Sequence, residues 1–183
     1  GKFTSKIISY ESDYTSSIVE DFNCLHLTLP VGDNTLEYTL ADAFNDNFRE
    51  NFLCGDEAYY DVKLGKKVVA SQTKQIKDYP EHLTIQLKRF NGLSKNMLSV
   101  TIQETLDHSD TLYQLYAIVM HVGNTLMSGH YYAYILNEYN SWYMFNDENV
   151  VEMDTSYVLY SASGKINEYE QAYVLLYKKI KIN

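Results

Sequence analysis

The chain is poor in the residues that interrupt or staple a fold. Its 183 residues include 2 prolines and 8 glycines, and no Pro/Gly/Ser stretch, low-complexity run or internal repeat marks a boundary within it. The 2 cysteines, Cys24 and Cys54, form no CxxC pair. That excludes a disulfide framework and reads as reduced thiols in an intracellular protein, with a single buried disulfide as the alternative. No apolar run approaches the roughly 20 residues of a spanning helix, and the opening GKFTSKIISYESDYTSS has no apolar signal-peptide core. A protein with no membrane partner is expected. Basic residues number 15 against 24 acidic, for a net charge of −9. Such a surface repels nucleic acid and suits a basic partner.

What remains is a globular composition, 45% hydrophobic and 21% charged, sufficient for one domain or one large lobe of something bigger. The aromatic content is lopsided, with 18 Tyr beside 7 Phe and 1 Trp, and amphipathic rings of this kind favour strands. Residues 3–8 are β-prone. Residues 22–29 carry Leu25, Leu27 and Leu29 at period two, which predicts a half-buried strand ending at Pro30. Asp33, Asn34 and Thr35 offer N-cap side chains to a helix in which Leu36, Leu40, Ala43 and Phe44 share a face. Residues 57–77 read as an irregular hairpin. After Pro80 the alternation of Leu83, Ile85 and Leu87 predicts a strong strand, and residues 97–102 a short one. From Tyr113 onward YQLYAIVMH, HYYAYIL, WYMF and AYVLLYKKI follow as strand after strand. Their connections are too short for parallel crossovers, so the expected class is α+β, antiparallel-rich, with few short helices.

The chemistry concentrates at residues 121–130. His121 and His130 stand at the mouths of two predicted strands, joined by a loop containing Gly123 and Gly129, which permit tight turns and close backbone approach. WYMF is followed by Asn146 and Asp147, which an antiparallel return can bring beside His130. A carboxamide or carboxylate behind an imidazole fixes its tautomer and stabilises the imidazolium, as general-base catalysis requires. Each feature has a plainer reading: a histidine at a strand start is usually structural, and Asn-Asp usually makes a turn. His82, His108, Cys24 and His26 read as structural, because they supply too few ligands for a metal.

The ordered set GHYYAYI, WYMFNDENVVEMD and AYVLLYKKI resembles the C-terminal catalytic box of the ubiquitin-specific proteases, papain-like cysteine peptidases that remove ubiquitin. YPEHLTIQLKRF resembles the strand that precedes this box. The opening 30 residues and TLEYTLADAF resemble the fingers, particularly those of the herpesvirus-associated branch. The resemblance implies the fingers and palm of a papain-like peptidase, with residues 1–80 fingers-like and helical and 81–183 the palm. It makes His130 the general base, Asn146 its orienting partner and Asp147 an auxiliary polar residue. It gives His121, Gly123, Gly129 and Tyr131 to binding of the ubiquitin tail. The implied partners are ubiquitin, or a ubiquitin-like modifier, and ubiquitinated proteins, in the cytoplasm or nucleus, and no cofactor is implied.

Two departures qualify this. The family's nucleophilic cysteine sits in an N-terminal box that the chain lacks, and neither Cys24 nor Cys54 has its flanking residues or a cationic neighbour to lower a thiol pKa. The expectation is a chain that begins at the fingers of a longer enzyme and is inactive alone. Many members also hold a structural zinc on two CxxC pairs. Here the corresponding positions fall near Ser9, Asp61 and Leu64, so no metal is expected and the fingers must be held by packing, with Tyr59 and Tyr60 against the early strands. The competing functions are a ubiquitin-binding pseudoenzyme and, setting the resemblance aside, a sugar-stacking β module.

Overall fold

The protein is described here by a computed structural model covering residues 1–31 and 37–180. In chain order its elements are β1 (Lys2–Ser9), β2 (Thr15–Asp21), β3 (Leu25–Thr28), β4 (Tyr38–Thr39), α1 (Leu40–Phe48), β5 (Asn51–Leu53), β6 (Tyr59–Asp61), β7 (Lys66–Val68) and β8 (Ala70–Asp78). There follow β9 (His82–Lys88), β10 (Phe90–Asn91), β11 (Ser94–Lys95), β12 (Val100–Thr101), β13 (Thr105–His108), β14 (Thr111–Val122), β15 (His130–Leu136), β16 (Trp142–Asn146), β17 (Asn149–Met153), α2 (Thr155–Ala162) and β18 (Glu170–Lys179). The class is the antiparallel-rich α+β expected from sequence. No helix among the described residues is long and apolar enough to cross a membrane. Two compact units form, Gly1–Asn23 with Asn45–Pro80, and Cys24–Phe44 with Glu81–Asn183.

The first unit is an antiparallel sheet in the order β2-β1-β8-β5, with β6 and β7 as a separate hairpin. Strand β2 has no counterpart among the strands expected from sequence. TSSIVED has no period-two alternation because this edge strand has no buried face: Ile18 and Val19 are exposed. Its order comes from backbone pairing with β1. Tyr59 stacks on Tyr14 with ring centroids 5.9 Å apart, as expected of packing against the early strands, whereas Tyr60 is exposed. Asp61 is buried, accepts hydrogen bonds from the Ser12 hydroxyl and from Lys63 N–H at 2.8 Å, and is held below the ordinary carboxylate pKa first by that hydroxyl.

The second unit is built on one large sheet, β17-β16-β15-β14-β18-β9-β3, with β13 also paired to β14, and carries the small pairs β10-β11 and β12-β4 beside it. The period-two residues of the sequence fill its core: Leu25, Leu27, Leu83, Ile85 and Leu87 are all 5% exposed or less. At about 1.5–3 kcal/mol for each large apolar side chain removed from water, this face supplies much of the driving force for folding.

Several expectations are corrected. Strand β3 begins at Leu25, not at Phe22. The antiparallel-rich expectation holds, with two parallel pairings beside it, β3 with β9 and β12 with β4. Residues 97–102 yield only β12. The proposed cap at Asp33, Asn34 and Thr35 lies outside the described residues. The observed helix starts at Leu40, where Thr39 Oγ1 accepts from Asp42 N–H at 3.1 Å and Asp42 Oδ2 accepts from Thr39 N–H at 2.8 Å, a reciprocal capping box. The run of strands after Tyr113 is interrupted by α2. Asp154 caps it by accepting from Ser156 and Tyr157 N–H, and Val158, Ser161 and Ala162 form its buried stripe.

Candidate functional site

His130 opens β15 and Asn146 closes β16. The register Ala133↔Phe145, carried one step further, sets Asn146 opposite Tyr132, on the same face as His130 and diagonal to it. The bond observed is His130 Nε2 to Asn146 Oδ1 at 2.6 Å. Because the amide oxygen can only accept, Nε2 carries the hydrogen and donates it. In the neutral ring Nδ1 is then left as the basic nitrogen. The His130 side chain is 44% exposed, and Asp147 Oδ2 lies 3.7 Å from Nε2 on a carboxylate still more open to water. Asp147 turns the chain into β17 with φ 53°, and Asn146 pairs with Asn149 across the turn. The site thus contains an imidazole, a carboxamide that fixes its tautomer, and a carboxylate at longer range.

His121 sits at the other end of the loop and is 1% exposed. Its ring is enclosed by Phe90, 5.2 Å away edge-on, Tyr131 at 4.8 Å and Tyr173 at 6.5 Å. Burial first, then the Lys95 and Arg89 charges, hold its pKa below the usual histidine value. The contact with the loop is direct. A Cβ on Gly129 would collide with His121 Nε2 and lie 2.6 Å from Val122 O, so any larger residue forces the ring and the backbone here to shift. Gly123 has φ 128° and donates its N–H to Tyr169 O at 2.9 Å. Of the four residues assigned to tail binding, Tyr131 is exposed, Gly123 and Gly129 shape the loop, and His121 packs behind it.

A backing layer escaped the sequence reading. Lys95, 7% exposed, donates from Nζ to His121 O at 3.0 Å and to Tyr169 O at 2.9 Å. Arg89, fully buried, donates from Nε to Ala172 O and from Nη1 to Leu98 O. Glu170 accepts from the Tyr132 hydroxyl. The signal for Arg89 was a cation directly after the apolar alternation of β9, beside an exposed Lys88, and Lys95, in the polar stretch NGLSKN, carried none.

Cys24 precedes β3, which is separated from β15 by β9, β18 and β14, so at about 4.8 Å per strand it lies on the order of 19 Å away across the sheet. It is half-buried, and burial raises its pKa. Cys54 is exposed and belongs to the first unit. No group of three or more His, Cys, Asp or Glu that could hold a metal occurs among the described residues.

Comparison with known proteins gives a consistent result. The profile of the family described as ubiquitin carboxyl-terminal hydrolase matches residues 1–177. Ubiquitin carboxyl-terminal hydrolase 17-like protein C of Mus musculus is 31% identical over 188 residues, covering 97% of this chain and 32% of that protein. Ubiquitin carboxyl-terminal hydrolase 15 of Schizosaccharomyces pombe is 32% identical over 177 residues, covering 87% of this chain and 15% of that protein. The chain therefore spans a third or less of these relatives. Among solved structures, a chain of the SAGA Ubp8/Sgf11/Sus1/Sgf73 DUB module bound to ubiquitin aldehyde superposes with TM-score 0.78 at 23% identity, over 100% of this chain and 42% of that one. That likeness is one of fold.

Proposed function

The chain belongs to the ubiquitin carboxyl-terminal hydrolase family, and from that premise we propose that it forms the fingers and palm of a cysteine-type deubiquitinase. Residues 1–23 and 45–80 form the fingers-like part, and 81–183 form the palm, to whose unit residues 24–44 also belong. The substrate is a protein carrying ubiquitin or a ubiquitin-like modifier, and the bond cut is the peptide or isopeptide bond after the modifier's C-terminal glycine. The observation that carries this reading is the His130 Nε2–H bond to Asn146, which leaves Nδ1 free to take a proton.

In this reading a thiol supplied from outside the described residues gives its proton to His130 Nδ1, and the thiolate attacks the carbonyl carbon to form an acyl-enzyme. The imidazolium returns the proton to the departing amine, and His130 then deprotonates the water that releases the modifier. Asn146 holds the ring in one tautomer throughout. Asp147 adds weak electrostatic support to the imidazolium across 3.7 Å of solvated space. Gly123 and Gly129 keep the loop free of side chains where a Gly-Gly-ended tail passes, with Tyr131 on its flank. Cys24 and Cys54 take no part, so these residues alone are inactive. The finer placement in the herpesvirus-associated branch rests on residues 1–30 and the helical segment, and a cytoplasmic or nuclear setting on the reduced thiols.

The test is hydrolysis of a ubiquitin C-terminal fluorogenic amide by the full natural polypeptide. Activity lost on His130→Ala and kept on Cys24→Ser and Cys54→Ser supports the assignment. Activity that survives His130→Ala, or that depends on either cysteine, contradicts it. A full polypeptide that binds ubiquitin saturably but hydrolyses nothing would make the protein a pseudoenzyme.

A further inference from the structure

We propose that Lys95 is a positioning residue for the His130–Asn146 pair: its ammonium ties the end of β14 to the segment entering β18 and so fixes the strand mouth from which His130 reaches Asn146. This rests on the reading of His130 as general base, although the placement of its ring can be measured without catalysis.

The bonds converge on one small region. Lys95 Nζ donates to His121 O and Tyr169 O, and Gly123 N–H donates to the same Tyr169 carbonyl at 2.9 Å. The Lys95 backbone N–H donates to Asn124 O at 3.2 Å, Leu126 N–H donates to Leu93 O at 3.2 Å, and Ser94 bridges Thr125. One residue thus joins the β10–β11 hairpin, the last turn of β14, the loop 123–129 and the start of β18. The path to the site is short. His121 pairs with Tyr131 and Val122 with His130, so the first residues of β15 rest on the two residues next to the carbonyl that Lys95 holds. On the far side, Glu170 follows Tyr169 directly and accepts from the Tyr132 hydroxyl, anchoring β15 two residues beyond His130.

A merely space-filling role fits poorly. An aliphatic side chain of similar shape could be buried without the cost of desolvating an ammonium. Burial and the Arg89 charge bring the Lys95 pKa down to about 8, with Glu170 pulling the other way. A folded pKa below the unfolded 10.5 means that the charge opposes folding at neutral pH and that this penalty is relieved only as pH rises through that window. The compensating feature in the structure is the pair of carbonyls it secures. The ionisable groups whose charges couple to it are Arg89, directly after β9, Glu170 of β18 and His121 of β14, and Glu170 in turn accepts from the Tyr132 hydroxyl of β15.

The experiment is Lys95→Met in the full polypeptide, read by NMR of the His130 ring nitrogens and the solvent exchange of its Nε2 proton. His108, which packs on Phe44, serves as the internal control. Exchange of the His130 Nε2 proton should accelerate by about tenfold or more, as should that of the Gly123 amide, with His108 unchanged. Lys95→Arg, which keeps charge and donors, should restore part of the protection. Should Lys95→Met fail to fold, the wild-type protein taken from pH 7 to 9 provides the readout: Gly123 amide and His130 ring shifts should move together with a midpoint near 8. Unchanged His130 exchange in a folded Lys95→Met, or His130 shifts that ignore that titration, would overturn the proposal. The catalytic reading fails separately, if His130→Ala leaves hydrolysis intact.

Discussion

His130 and His121 stand at the two ends of one loop, on strands that pair with each other, and their surroundings are opposite. His130 is solvated on a strand mouth, bonded at Nε2 and open at Nδ1. His121 is enclosed by three aromatic rings, with no hydrogen bond at Nδ1 and its pKa pushed down by burial and by two nearby cations. The same side chain is open to solvent at one ring nitrogen in one place and packed, with its charged form disfavoured, in the other. Water access and the partner of one ring nitrogen decide which. The loop ends in Gly129 because the buried ring and the Val122 carbonyl occupy the space a side chain would need, and it opens on Gly123 because φ 128° there favours glycine.

The largest break in this contrast is His130→Ala, for which the active protein should lose about 10³-fold in kcat while its thermal unfolding stays unchanged, because an exposed ring contributes little packing. Asn146→Ala should cost about 10²-fold, through loss of ring orientation more than of binding, visible as a kcat effect at near-constant KM. Gly129→Ala erodes the boundary between the two environments. Its Cβ meets both His121 Nε2 and Val122 O, and urea unfolding should show a loss of about 1–3 kcal/mol.

A subtler test is the pH dependence of stability. His121 has a folded pKa below its unfolded value of 6.5. Its contribution is therefore present above pH 6.5 and lost as pH falls through the folded pKa. The urea midpoint should fall between pH 7 and pH 5 in the wild type and fall less in His121→Gln. The smallest effect belongs to Asp147→Ala, whose exposed carboxylate 3.7 Å from the ring should change kcat/KM by no more than about fivefold, and less at high salt.

Much of this was legible in the sequence wherever burial and side-chain period coincide. Leu83, Ile85 and Leu87 announced β9, and GHYYAYI with WYMFND announced the strand pair that carries His130 and Asn146. Legibility failed where order comes from the backbone or from a single cap. Strand β2 has no buried face to impose alternation, and α2 turns on Asp154 together with a three-residue stripe inside an aromatic run that also suits a strand. The parallel pairing of β3 with β9 leaves no local trace, since the two strands are far apart in sequence. Within the site, the exposed pair followed from motif order, but the backing layer did not. Lys95 and Arg89 are residues that composition assigns to solvent, and only the folded chain shows that backbone carbonyls receive their donors.

The most direct test of the central claim, that the open His130 end of this loop is where the modifier's tail is received, is an NMR titration of the protein with ubiquitin. Saturable binding should shift Gly123, His130 and Tyr131 while leaving His108 in place. Binding that leaves those three unperturbed, or no binding by the full polypeptide to ubiquitin or a ubiquitin-like modifier, would contradict it.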